Sequence, residues 1–311
     1  MSVTWTATPV AVASEQTERP SFFGLLRGEL FKIARQRAMW VMAAVLALLI
    51  CAPYLIEMAA KGGNEKTLLT QQPLQFLYIM GGSNLLVLRV FSGTFLILLT
   101  ARLIGMEYSS GTIRVLLARG VGRLQLLGAK LLAMAVVALA VLAGALVIDA
   151  LLSLATLSAI GGNLDALKAI NGDFWNDMLV YIGTVLISMG VSILMAAAVT
   201  VLTRSLAAGM SIAVTFFAAD NIGVIFFLLA SRLTGSNFWT LATGDLLGPN
   251  LNVMAGQVLP ARAAGATFAS GAFAPPLVPV TGGHTLLVTA IWGALFIVAM
   301  VWLTWKRDVQ E

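Results

Sequence analysis

Few residues in this sequence are of a type to do chemistry. One histidine, His284, and one cysteine, Cys51, stand far apart in the chain. They leave no disulfide framework, no Cys-based metal site and little material for a zinc centre or a Ser-His-Asp triad. A phosphate-binding loop of the form G-x-x-x-x-G-K-[ST] is absent, because Gly128-Ala129-Lys130 lacks both the upstream glycine and the following Ser or Thr. What remains is a set of polar residues inside apolar stretches: Arg89, Asp149, Asp220 and Asn221. A charge at the centre of an inserted helix costs on the order of 2.5 to 3.5 kcal/mol, so each needs a reason. Arg89 either snorkels outward or finds an acid, and Asp149, at a similar depth, is the acid within reach. The pair Asp220-Asn221 lines the route of a polar substrate, carries a proton, or makes a structural hydrogen bond to another helix.

These residues sit on a strongly apolar scaffold. With a mean hydropathy of +0.93, 59% hydrophobic and 11% charged residues, the chain lies outside the soluble globular range and is a polytopic membrane protein. The formal net charge of +5 marks topology, since Lys and Arg gather at the ends of apolar runs and no basic stripe with interleaved aromatics points to nucleic acid. Residues 1–20 are polar and lack a signal-peptide pattern, which predicts a disordered cytoplasmic tail. Residues 21–311 form one transmembrane domain. Its first segment, 21–37, has Phe22, Leu25, Leu26, Leu30 and Ile33 on one side and Arg27, Glu29, Lys32, Arg35 and Arg37 around the other. It reads as an interfacial amphipathic helix or as a plain basic flank to the first span. Spans follow at about 38–58, 84–104, 131–153, 178–202, 206–229 and 285–304. The stretch 61–70 is predicted as an external loop, and 75–80 as a dip into the outer interface. Residues 159–176 form another external loop. Arg232 to Thr281 is too broken by Gly and Pro to span and too apolar for a solvated loop, which predicts short helices in the outer leaflet.

Between spans 2 and 3 lies a charged island, Arg102 to Lys130, with Glu107, Arg114, Arg119 and Arg123 packed into it. Such a segment lies outside hydrocarbon, and its basic excess puts it in the cytoplasm. The same rule collects Arg27, Lys32, Arg35, Arg204, Lys306 and Arg307 inside, against Lys61, Lys66, Lys168, Arg232 and Arg262 outside, so both termini are cytoplasmic. Within the island, Ser109-Ser110-Gly111 precedes Thr112 to Arg119, a short helix expected to carry a serine at its N-cap and to stop at Gly120. Ile113, Leu116 and Leu117 make one apolar edge, with Arg114 outside that stripe. Periodicity leaves two uses open: a handle held by a partner, or a helix lying on the membrane surface. The turn Thr203-Arg204-Ser205 is a tight cytoplasmic hairpin, either a second partner contact or a simple connection.

Glu107 followed by Ser110-Gly111-Thr112-Ile113-Arg114 and Leu116-Leu117, after a span ending Ala101-Arg102-Leu103-Ile104-Gly105, resembles the first cytoplasmic loop of type 2 ABC exporter permeases. The basic N-terminal helix, the number of spans and Lys306-Arg307-Asp308 extend the resemblance over nearly the whole chain. It implies an all-α fold of six transmembrane helices with an N-terminal elbow helix over 21–37, a coupling helix between spans 2 and 3, and short outer helices before span 6. Glu107, Ser110, Gly111, Thr112, Ile113, Arg114, Leu116, Leu117 and Arg204 would then engage an ATP-binding subunit present in two copies. ATP and Mg would be bound there, and this chain would bind no cofactor and catalyse nothing. A second permease, identical or related, would complete the path across a bacterial-type plasma membrane, for an amphipathic, lipid-like or peptide cargo. The competing reading is a proton-coupled secondary transporter using Asp220, for which no inverted repeat or pair of broken helices speaks in the sequence.

Overall fold

A computed structural model describes residues 21–60, 63–264 and 274–306. The expected tail 1–20, Lys61, Arg307 and Asp308 lie outside the described residues. In chain order the helices are α1 Phe22–Arg35, α2 Arg37–Ala60, α3 Gly63–Gln71, α4 Pro73–Ser109, α5 Thr112–Ala118, α6 Arg123–Gly161, α7 Gly172–Thr203, α8 Leu206–Ile222, α9 Val224–Thr234, α10 Phe238–Ala242, α11 Leu247–Val258, α12 Ala261–Ala264 and α13 Gly282–Lys306. Single 3-10 turns occur at Asp165–Ala169 and Thr243–Asp245, and no strand occurs among the described residues. The protein is an all-α polytopic membrane protein.

Five helices, α2, α4, α6, α7 and α13, are long and apolar enough to cross a bilayer, and α8 with α9 makes a sixth if counted as one bent span. The stretch expected to be a straight span over 206–229 is therefore broken, with α8 and α9 meeting at 55°. Gly223 stands at the break, where a Cβ would collide with the Ala219 carbonyl oxygen, so only glycine admits this bend without a shift. The helices also run past the apolar runs that announce them. At 1.5 Å per residue, α4 (37 residues) and α6 (39 residues) are about 55–60 Å long, well beyond a hydrocarbon core of about 30 Å. Residues 75–80, expected at the interface, are the first turns of α4. The expected loop 61–70 is largely α3, and 159–176 holds the end of α6, a 3-10 turn and the start of α7. In each case the helix carries its own backbone hydrogen bonds through polar side chains, so hydropathy underestimates its length.

The bundle is organised on α4 and α7. Most of each is buried, whereas α2, α6 and α13 leave most of their surface open. Small residues let α7 approach its neighbours: Ser188, Ser192, Ala196, Ala197 and Ala198 are buried, while Gly190 meets nothing within 4 Å. Opposite Ser192 lies Gly93 of α4, where a Cβ would come within 3.3 Å of the serine hydroxyl. Contact with α8 is closer still at Gly105, whose Cβ would stand 2.7 Å from the Leu206 Cα. Backbone cannot yield as a side-chain tip does. Gly105→Ala should therefore destabilise the chain by about 1 kcal/mol, the lower end of overpacking costs for one methyl group. Gly190→Ala should cost nothing measurable, and unfolding of both variants in mixed micelles with dodecyl sulfate compares them.

Candidate functional site

The sequence island folds as a hairpin in which α5 joins the ends of the two longest helices. Gly111 takes the left-handed conformation at φ 68° and turns the chain out of α4, and Gly120 at φ 82° turns it into α6. The expected serine cap is not formed: Gly111 is the N-cap, and no side chain caps α5. Ser110 instead closes α4, its Oγ donating to the Met106 carbonyl at 2.7 Å and lying 3.0 Å from Thr112 Oγ1. Ser109 accepts the Leu206 amide at 3.3 Å, which ties the hairpin to the α7–α8 turn. In that turn Arg204 adopts φ 50°, the one non-glycine residue with positive φ among the described residues.

The apolar edge of α5 faces its own chain. Ile113, Leu116 and Leu117 are half-buried, while Thr112, Arg114, Val115, Ala118 and Arg119 are exposed. Two cavities of about 430 Å³ each flank the helix. One is bordered by Ile113, Arg114 and Leu117 together with Arg204, the other by Thr112, Val115 and Leu116 together with Lys32 and Gln36. The three residues expected to form an edge for a partner thus face the bundle across these cavities, and the exposed residues of α5 are a different set.

Beneath the hairpin is a charge cluster assembled from three elements. Lys32 of α1 bonds Glu29 at 2.7 Å and Glu107 of α4 at 2.8 Å, while Lys130 of α6 bonds Glu29 at 2.9 Å and Glu107 at 2.8 Å. Lys130 also donates to the Leu103 carbonyl at 3.2 Å. Two acids and two bases balance, so the buried Glu29 (2% exposed) and Lys130 (3%) each have partners of opposite charge. Burial works against the charge on Lys32, yet its hydrogen bonds to Glu107 and Glu29 outweigh it and hold its pKa above the usual lysine value. Glu107 was legible as part of the island. Glu29 was visible only as the lone acid of a basic helix, and nothing in its spacing told that Lys130 would meet it.

At the opposite end of the bundle the intramembrane polar residues are partnered, though not as their depths suggested. Arg89 is buried and donates to Asn252 Oδ1 of α11 at 2.9 Å. Asp149 accepts from the Tyr54 hydroxyl, which also lies 3.0 Å from Ser153 Oγ. Pairing of Arg89 with Asp149 is therefore corrected: α11, packed on α13, α7 and α8, reaches Arg89 with Asn252 and supplies a neutral acceptor. Asp220 accepts the Gly248 amide in the first turn of α11, and Asn221 donates to the Phe217 carbonyl within its own helix at 2.7 Å. His284 stands in the first turn of α13, with Nε2 at 2.9 Å from the Gly244 carbonyl. A cluster the sequence did not announce closes this end. Arg262 of α12 bonds the buried Asp177 of α7 through Nε at 2.8 Å and reaches Asp173 at 3.0 Å, and Tyr78 of α4 donates to the same Asp177 at 2.7 Å.

The family described as ABC-2 family transporter protein matches residues 25–220. The chain belongs to this family. Comparison with curated proteins gives no match. The chain is accordingly an ABC transporter permease subunit, a multi-pass membrane protein of a generally non-catalytic kind that works with an ABC-type ATP-binding partner. The matched residues of this ABC-2 permease contain the α1 charge pair, the whole hairpin, the α7–α8 turn and Asp220. The short helices α10 to α12 and the last span follow the match, so Arg262 and Asn252 belong to the part of the permease that the family description does not reach.

Proposed function

We propose that this permease is the membrane subunit of an ATP-driven exporter, and that the exposed face of α5 receives the stroke of the ATP-binding subunit. The observation that carries the reading is the mounting of α5. Its inner edge faces the bundle, the helices at its base are tied by the Glu29–Lys32–Glu107–Lys130 cluster, and its outer face is left open. A push on that face moves α4 and α6 together, and differential contact with the two nucleotide states is what shifts a transporter between conformations. The α5 end is cytoplasmic by its basic excess, with both termini on that side. ATP and Mg are bound by two copies of the motor subunit, and a second permease, identical or related, faces this one across the path. The open apolar surfaces of α2, α6 and α13 suit lipid and such a neighbour, and the cargo is amphipathic, lipid-like or peptidic. Glu107, Gly111, Thr112 and Arg114 set the hairpin's geometry, and Arg204 braces it from the neighbouring turn.

The carrier reading loses ground at its own acid. The Asp220 carboxylate is engaged by the α11 backbone, a structural use of the group.

Cross-linking tests the exporter reading. In a Cys51→Ser background, Val115→Cys should cross-link to the co-expressed ATP-binding subunit. In the native background, Val115→Asp should reduce ATP-dependent transport about fivefold or more, the scale of a typical coupling free energy, without loss of membrane insertion. Full transport by Val115→Asp together with no cross-link would refute it.

A further inference from the structure

The cavity on the Lys32 side of α5 gathers unmet hydrogen-bonding groups. Gln36, at the turn between α1 and α2, and Arg102 and Glu107 of α4 all border it. Each keeps one buried side-chain atom with no partner among the described residues: Gln36 Oε1, Arg102 Nε and Glu107 Oε2. Such atoms are rare in folded proteins, and three around one hollow of about 430 Å³ point to a ligand. Glu107 is only 7% exposed, and its other oxygen is the one that holds Lys32 and Lys130. Lys32, also on the wall, is thus taken by Glu29 and Glu107, whereas the Arg102 side chain joins no ion pair among the described residues. The rest of the wall is largely apolar, from Leu103 and Met106 of α4 to Val115 and Leu116 of α5.

The position of the cavity says where a ligand comes from. Phe31 and Trp40, on either side of Gln36 in the chain, are both exposed. The Arg35 guanidinium lies 5.0 Å from the centre of the Phe31 ring, and the Trp40 indole donates to the Ala34 carbonyl at 2.8 Å. Exposed aromatic and basic residues at the start of a span mark the headgroup layer, and the molecules at hand there are lipids. The unmet atoms state the headgroup's chemistry. A carboxylate oxygen and an amide oxygen accept, best from a cationic N–H, and a guanidinium N–H donates, best to a phosphate oxygen. A zwitterion with a primary ammonium and a phosphate offers both, and its acyl chains suit the apolar wall.

We propose that this cavity binds a phosphatidylethanolamine-type lipid of the surrounding leaflet, its ammonium donating to Glu107 Oε2 and Gln36 Oε1 and its phosphate accepting from Arg102. Small rotations of the three terminal groups bring the covered atoms to the headgroup. The lipid then fills the gap between α1 and α5. The binding itself needs no ATP-binding subunit, so its test stands apart from that of the exporter reading.

The purified full chain in neutral detergent is offered phosphatidylethanolamine, phosphatidylcholine or phosphatidylglycerol with the same acyl chains, and retained lipid is read by native mass spectrometry. Phosphatidylcholine carries the same two charges but no N–H, so phosphatidylethanolamine should be retained about tenfold more strongly, the scale of one hydrogen bond to a charged acceptor. Gln36→Leu should cut that preference about threefold, the scale of one neutral hydrogen bond, and Gln36→Glu, which keeps an acceptor, should preserve it. Arg102→Gln should weaken retention of both zwitterions alike, about tenfold, and leave the preference unchanged, whereas Arg102→Lys should keep most of the retention. A structural role alone would not split retention from preference in this way. Glu107 stays intact in every variant, so the charge cluster is undisturbed. Equal retention of phosphatidylethanolamine and phosphatidylcholine, an unchanged preference in Gln36→Leu, or tighter retention of phosphatidylglycerol would overturn the proposal. So would displacement of the lipid by millimolar phosphoethanolamine, which would assign the site to a soluble molecule.

Discussion

Replacing Lys130 by methionine should destabilise the folded chain by about 3–5 kcal/mol, the usual result of removing one partner from a buried charge network. Lys130 contacts Glu29, Glu107 and the Leu103 carbonyl, and its side chain is almost fully enclosed. With the lysine gone, Lys32 alone faces two carboxylates, and Lys32 is half open to solvent. The uncompensated charge, and not the missing bond, dominates the loss. The charge account can be tested by removing one of each sign. Lys130→Met with Glu29→Gln leaves the Lys32–Glu107 pair, so the double variant should be more stable than the sum of the two single effects predicts, by about 1–3 kcal/mol of coupling. Unfolding in mixed micelles with dodecyl sulfate measures all three variants. Simple additivity would mean that the four residues do not act as one network. Because the cluster joins α1, α4 and α6, the single variants should also weaken the seat of α5 and lower transport where the chain still folds.

Replacing Asp220 by alanine should cost about 1–3 kcal/mol, since it strands the Gly248 amide away from water. The geometry is confined: a Cβ at Gly248 would stand 2.9 Å from the Asp220 carboxylate oxygen, so α11 comes as close to α8 as a glycine permits. Asp220→Asn keeps an acceptor oxygen and should retain most of the stability and most of the transport. That second variant separates the two uses of the acid. A proton-linked carrier would lose transport in Asp220→Asn as completely as in Asp220→Ala, whereas a structural brace survives a neutral acceptor. Transport measured in vesicles at fixed ATP, with stability measured alongside, decides between them.

The hairpin was the part of the site most legible in the sequence. Its polarity excluded hydrocarbon, Gly120 marked the end of its helix, and the Ile113, Leu116, Leu117 period marked a helix with one apolar edge. What spacing left undetermined was the direction of that edge. An apolar stripe in a short helix is equally suited to a partner and to the helix's own bundle. Here the bundle takes it, leaving Val115 and Arg114 outward. The serine cap failed for a related reason. Ser110 ends α4, and its hydroxyl donates back one turn to the Met106 carbonyl, which also accepts the Ser110 amide, instead of accepting from an amide of α5.

By itself the sequence determined the all-α class, the apolar runs and the place of the basic hairpin, because hydropathy, helix period and lysine and arginine placement are local properties of the chain. The tertiary structure alone decided which charges meet: Glu29 with Lys130, Arg89 with Asn252, Asp177 with Arg262. It also decided that span 5 breaks at Gly223 and that α11 folds back to meet Asp220. In a medium with little water to screen it, a buried charge takes the partner that helix packing brings within 3 Å, and that distance is not written in the separation of two residues along the chain.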